Sequence, residues 1–173
     1  PMRALILIAL SLTLAACGRP LTQAEADYMA ALQGDSFDPS PVRITRNPFV
    51  GIITLRYPAR PQTTCRERVF PPPETEIIEG QVAGMVLFNT LHVREDMFVP
   101  DYAEMPDGRH HLYAAMFFAH EMTHVWQWQN RALTGYHPLR AAQEHAQIED
   151  PYLFDPEAEQ PFLSYGYEAQ ASL

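Results

Sequence analysis

Residues 119–129 read AHEMTHVWQWQ, with His120 and His124 four apart and Glu121 directly after the first. The surrounding run, 109–131, holds neither proline nor glycine. Leu112, Tyr113, Met116, Phe117, Phe118 and Ala119 would cover most of a helical circumference. The pattern predicts a helix that starts after Asp107-Gly108 and is buried nearly all round. On a helix, residues four apart share a face one turn apart. Two imidazoles so placed offer nitrogens to one tetrahedral ion, and zinc takes nitrogen ligands at about 2.0–2.1 Å. Glu121 is rotated off that face and reaches a water on the open side of the ion. Five residues then supply two ligands and a base. The bland alternative is a partly exposed helix with satisfied histidines. It leaves an ionised glutamate in an apolar helix without a partner, which is costly.

Outward from this helix the chain alternates in character. On the C-terminal side TGYHP ends it, LRAAQEHAQIED predicts a more polar helix, and PYLFDPEAEQP is a proline-bounded loop. FLSYGYEAQASL begins a third helix. On the N-terminal side 81–93, QVAGMVLFNTLHV, is a buried strand or hairpin. Residues 42–58 alternate and carry β-branched side chains, predicting one or two strands interrupted at Asn47-Pro48. The proline-rich 58–75 is irregular. Thr22, Glu25 and Gly34 frame a short helix with a capping box and a stop, with Ala24, Tyr28, Ala31 and Leu32 as its apolar stripe. The sum is a small α+β domain with a buried active-site helix, a short sheet and a C-terminal helix.

Composition bounds the partners. The chain has 173 residues, 47% hydrophobic and 19% charged, enough for one domain with a real core. Its net charge of −9 repels polyanions, so nucleic acid is excluded as a partner. Sixteen prolines argue against a continuous helical bundle. Residues 1–16 have an early Arg3, an apolar run from Ala4 to Leu14, then Ala15 and Ala16 before Cys17. The run is too short to span a bilayer and is an export signal. LAAC at 14–17 resembles the bacterial lipobox, in which the cysteine is acylated; the alternative is an ordinary secretory signal cut nearby. Gly18 follows Cys17, so the aspartate of inner-membrane retention is missing. The expectation is a lipid on Cys17 and an outer-membrane anchor facing the periplasm. Residues 17–41 then serve as tether and short helix, and 42–173 as the catalytic domain. With Cys17 acylated, Cys65 has no intramolecular partner and is expected to be a buried thiol.

HEMTH carries the HExxH motif that defines the zincin metallopeptidases. The longer HEMTHVWQ resembles small bacterial domains with HE-x-THV-x-Q, found in secreted proteins and toxin-associated cargo. The likeness takes in 84–102 as well and covers roughly the C-terminal half. It implies a zinc ion held by His120 and His124, with Glu121 as general base. A catalytic zinc needs a third protein ligand and an open position. The metzincin pattern is excluded by Gln127 and Asn130. The gluzincin pattern implies a glutamate from a later helix, for which Glu168 in YGYEAQA is the leading candidate. His137, His145, Glu144 and Glu157 compete. The aspartate common four residues after that glutamate is Ser172 here. Tyr165 or Tyr167 is a candidate donor to a developing oxyanion. His110, His111 and His92 are taken as solvated or strand-face residues, and Trp126 and Trp128 as packing. The implied function is a membrane-anchored zinc peptidase acting on a peptide or protein that adds to the edge of the 81–93 strand. The rival is a lipid-anchored zinc-binding or scaffolding protein without activity.

Overall fold

The computed structural model describes residues 18–62, 65–105, 107–155 and 157–173, with the side chains of Cys65 and Arg66 excepted. The export signal and Cys17 lie outside the described residues, and so does the expectation about the Cys65 thiol. The architecture is α+β. Helix α1 spans Gln23–Gln33, β1 Arg43–Arg46, β2 Thr54–Pro58, α2 Cys65–Val69, and β3 Ile77–Gln81. Then come β4 Gly84–Leu87, β5 Thr90–Val93, α3 Leu112–Gln129, α4 Arg131–Thr134, α5 Pro138–Gln147 and α6 Tyr167–Ser172. Among the described residues no helix is long and apolar enough to cross a membrane.

The predicted hairpin forms. β4 and β5 pair antiparallel from Gly84↔Val93 to Leu87↔Thr90, and β1 joins β5 in parallel, giving the order β1-β5-β4. The two-residue turn puts Phe88 at φ +59°, a region that bulky side chains rarely adopt. Its ring packs edge-on against Trp128 with centroids 4.7 Å apart, and that contact offsets the strain. β2 and β3 form a separate antiparallel arm, mostly exposed. The arm is tied to the body by Arg60, 2.6 Å from Asp150 and over the ring of Tyr152.

One face of the three-stranded sheet is apolar. Ile44, Val86, Leu91 and Val93 meet Phe118, Met122 and Val125 of α3, with Met29, Phe37 and Tyr102 closing the core. The spacing Phe118, Met122, Val125 is the i, i+4, i+7 stripe of a helix on a sheet. α3 is buried all round only from Glu121 to Gln127; Leu112 and Tyr113 are exposed. The expectation of near-complete burial holds for the site half alone. The helix also starts later than predicted. Asp107-Gly108 makes a turn, with Gly108 at φ +78°, and His111 is the N-cap, accepting from Ala114 N at 3.3 Å.

Residues 18–41 are not a spacer, contrary to the tether expected there. Arg19 pairs with Ile44 of β1, and Met29 and Phe37 are core residues. The capping box of α1 is present, but the buried positions of the helix are Glu25 and Met29. Ala31 and Leu32 are exposed, so the predicted stripe was set one step off. The reason is Glu25, whose carboxylate is fully buried and takes both guanidinium nitrogens of Arg19 at 2.7 Å. It also accepts from the amides of Thr22 and Tyr102.

Candidate metal centre

α3 and α6 cross so that three side chains converge. His120 Nε2 lies 3.1 Å and His124 Nε2 3.4 Å from Glu168 Oε2. The two imidazole centroids are 5.0 Å apart at 86°. A tetrahedral ion with ligands near 2.0–2.1 Å separates its donor atoms by roughly 3.3 Å. The spacings present match that requirement. His120, His124 and Glu168 have one ligand atom each within 4.8 Å of the others, and the group could hold a metal ion. His124 and Glu168 are buried, at 6% and 5% exposure.

His124 and Glu168 are each aimed by partners. His124 Nδ1 donates to Gln127 Oε1 at 2.9 Å, which fixes the tautomer and leaves Nε2 for the site. Gln127 Nε2 donates in turn to Gln170 Oε1 and to the carbonyl of Tyr167, at 3.0 and 3.1 Å. Gln170 Nε2 reaches the carbonyl of Tyr165. This amide chain clamps α6 on α3. Gln127 of the motif is the centre of that chain. Glu144 of α5 accepts from the amides of Tyr167 and Glu168 at 3.0 and 3.2 Å, so it seats the first turn of α6. His145, beside it, approaches the other oxygen of Glu168, with Nε2 2.8 Å from Oε1. The carboxylate is therefore divided: Oε2 faces the two α3 imidazoles and Oε1 faces His145.

The charges respond to this packing. Burial alone would raise Glu168, but the imidazoles of His120, His124 and His145 hold its carboxyl far below the usual carboxylate range. Burial alone would lower His124; the Glu168 carboxylate, with Glu121 and Gln127, pushes it up to about 9. His145 is raised, first by its bond to Glu168.

Of the rivals for the third position, none joins the metal group among the described residues. His145 points at Glu168. Glu144 caps α6. His137 caps α5, accepting from Leu139 N at 3.2 Å, and Glu157 is exposed. Neither proposed oxyanion donor is available: Tyr165 donates to Ala158 O and Tyr167 to Gly135 O, at 2.9 and 3.1 Å. The aromatic neighbours of the site are instead Tyr136, stacked on His124, and Tyr152, stacked on His120, each with centroids 5.8 Å apart. No pattern in the sequence marks them, because both arrive from loops. Glu121 is buried at 8% exposure and packs against the first residue of β4. A Cβ on Gly84 would lie 3.2 Å from Glu121 Cδ.

The chain matches no family model and no curated protein. Among solved structures it is similar to the effector domain of Pseudomonas aeruginosa VgrG2b, at 25% sequence identity and a TM-score of 0.54. The match covers 91% of this chain and 71% of that one.

Proposed function

We propose that this domain is a zinc-dependent peptidase of the gluzincin kind, held at the outer membrane by a lipid on Cys17. The observation that carries the reading is the convergence of Glu168 on the two HExxH imidazoles at 3.1 and 3.4 Å, with three donors in the group among the described residues. A structural zinc would be closed by four protein ligands, whereas three leave room for water and substrate. His120, His124 and Glu168 would hold the ion, which supplies Lewis acidity towards a water and a scissile carbonyl. Glu121 accepts the proton of the attacking water on its carboxylate and returns it to the departing amine nitrogen as the C–N bond breaks. The wall of β4, at the edge of the sheet beside Glu121, offers main-chain partners to an extended peptide. The VgrG2b effector domain, whose fold this chain approaches, is compatible with an exported role.

The test is Glu121→Gln in the purified protein, with zinc measured by elemental analysis and turnover on a denatured-protein substrate. Zinc content should stay at wild-type level while turnover falls about 10²–10⁴-fold. Unchanged turnover removes Glu121 as base. A wild-type protein that binds no metal after mild purification would sink the peptidase reading altogether.

A further inference from the structure

Gly18, the residue that follows the lipobox cysteine in the sequence, lies at the same end of the sheet as an exposed apolar turn. Arg19 pairs antiparallel with Ile44, its amide and carbonyl bonded at 2.9 and 2.8 Å. Followed backwards from Arg19, the chain therefore runs towards the Arg46 end of β1. Gly18 is pressed against that strand: a Cβ there would lie 2.6 Å from Ile44 O and 3.1 Å from Thr45 Cβ. Cys17 is one peptide further on, about 3.8 Å between Cα atoms.

Directly beyond Arg46 comes a built turn. Asn47 N donates to Val93 O at 2.8 Å, and Asn47 receives the amides of Phe49 and Val50 at 2.9 and 3.1 Å. Val50 is buried, yet Phe49, Ile52 and Ile53 are 79%, 65% and 72% exposed. Gly51, at φ +81°, closes the turn onto the start of the hairpin: a Cβ would meet Val82 O at 2.8 Å, and Val82 is exposed too. An ordered turn that presents a phenylalanine and two isoleucines to water marks a contact surface. Its charge also stands apart. Residues 39–66 contain five arginines and no carboxylate, in a chain of net charge −9. Arg56 and Arg60 are paired with Glu79 and Asp150, whereas Arg46, which borders the turn and lies over the Phe98 ring at 4.6 Å, has no carboxylate ion pair among the described residues.

We infer that the 47–53 turn, with Val82, inserts into the anionic bilayer that carries the acyl chains on Cys17, with Arg46 at the headgroups. This rests on the lipid-anchor reading above and not on the peptidase reading. The acyl chains tether the domain without orienting it, and an apolar contact bordered by a basic side chain adds binding through buried apolar area and attraction to anionic lipid. The turn is placed to be that contact, because no spacer separates it from the cysteine. Gly84 pairs with Val93 at this same end and borders Glu121. Docking would therefore hold the base end of the site close to the lipid surface, where membrane-proximal peptide segments pass.

The experiment uses the full chain, produced in a bacterial host, reconstituted into vesicles of phosphatidylethanolamine and phosphatidylglycerol with or without brominated acyl chains. Phe49→Trp adds an emitter at the turn. Leu139→Trp adds one at an exposed position two residues past His137, whose ring faces Phe88 at the opposite end of the sheet. Emission of Trp126 and Trp128 is subtracted using the wild-type chain, and thermal melting confirms that both variants fold. Brominated lipid should quench the Phe49→Trp increment and leave the Leu139→Trp increment unchanged, since an apolar group at the headgroup–acyl boundary sits within reach of the acyl chains. An unquenched Phe49→Trp, or equal quenching at both positions, overturns the inference. So does quenching that tracks protein density in unbrominated vesicles, which means the turn meets a second copy. Mass spectrometry of the same sample reads acylation separately: an unlipidated chain ends the anchor reading whatever zinc and turnover show.

Discussion

Two buried glutamates invite comparison. Glu25 and Glu168 are both nearly sealed from solvent and both are ion-paired. Glu25 is met by a guanidinium, which is always charged, and by two backbone amides that cannot leave. Its charge is permanently neutralised, and its geometry serves only to pin α1 and the 99–102 loop to the sheet. Glu168 is met by three imidazoles, whose charge is conditional. When these are neutral the carboxylate is an uncompensated buried anion, a cost that a bound cation removes. A buried carboxylate among imidazoles thus favours a bound cation; one among arginine and amides is a rivet. The two should fail differently.

The largest difference is expected at Glu168 itself. Glu168→Ala should take zinc uptake to background, a loss beyond the ~10–100-fold that removal of an outer partner costs, and yet leave a folded domain. Isothermal titration and circular dichroism on the same sample decide it: a variant that still binds zinc tightly would show that the site is not built around this carboxylate. Glu25→Ala should do the reverse. It leaves Arg19 without its partner and orphans two amides, costing about 3–5 kcal/mol of stability. Zinc affinity of the fraction that folds should be unchanged. If the melting temperature hardly moves, Glu25 is not the structural element described.

How far this contrast was legible in the sequence follows from range. The capping box around Glu25, the 81–93 hairpin and the HExxH face depend on residues within one or two turns, and all are present, although Val82, Met85, Leu87 and Phe88 of the hairpin are exposed where burial was expected. Glu168 was reachable through motif resemblance, since 44 residues of chain separate it from His124. The membership of residues 18–41 in the core was not legible. It depends on Arg19 pairing with β1 and on Tyr102, 77 residues from Glu25. The parallel pairing of β1 with β5 is similarly non-local. Tyr136 and Tyr152 stack on the site from irregular segments whose path no periodicity encodes. α3 starts at Leu112, beyond Asp107-Gly108, because that pair serves as a turn as readily as a helix start and His111 supplies the cap.

A finer probe separates the two oxygens of Glu168. His145 is exposed, sits edge-on to Tyr152, and meets Glu168 at Oε1, away from the α3 imidazoles. His145→Ala should free that oxygen to swing and weaken zinc binding about 10–100-fold, with little change in thermal stability of the metal-free protein. Affinity measured by chelator competition should return most of the way with His145→Gln, which can donate to the same oxygen. Unchanged affinity in the alanine variant would mean that α6 alone holds the carboxylate.

The smallest expected effect tests the clamp between α3 and α6. Gln170 is buried at 4% exposure and links Gln127, which orients His124, to the carbonyl of Tyr165. Gln170→Leu keeps the volume but removes both neutral hydrogen bonds, each worth about 0.5–1.5 kcal/mol net. Gln127 Nε2 retains the carbonyl of Tyr167, so His124 keeps its acceptor. The expected outcome is therefore a modest fall in stability, about 1–3 kcal/mol by denaturant titration, with zinc affinity altered less than in His145→Ala. That ordering is the physical content of the comparison. A group that touches the ligand carboxylate governs the ion, and a group two bonds removed governs only the crossing of the helices. If Gln170→Leu costs more zinc affinity than His145→Ala, the carboxylate is aimed through the amide chain and His145 is a bystander.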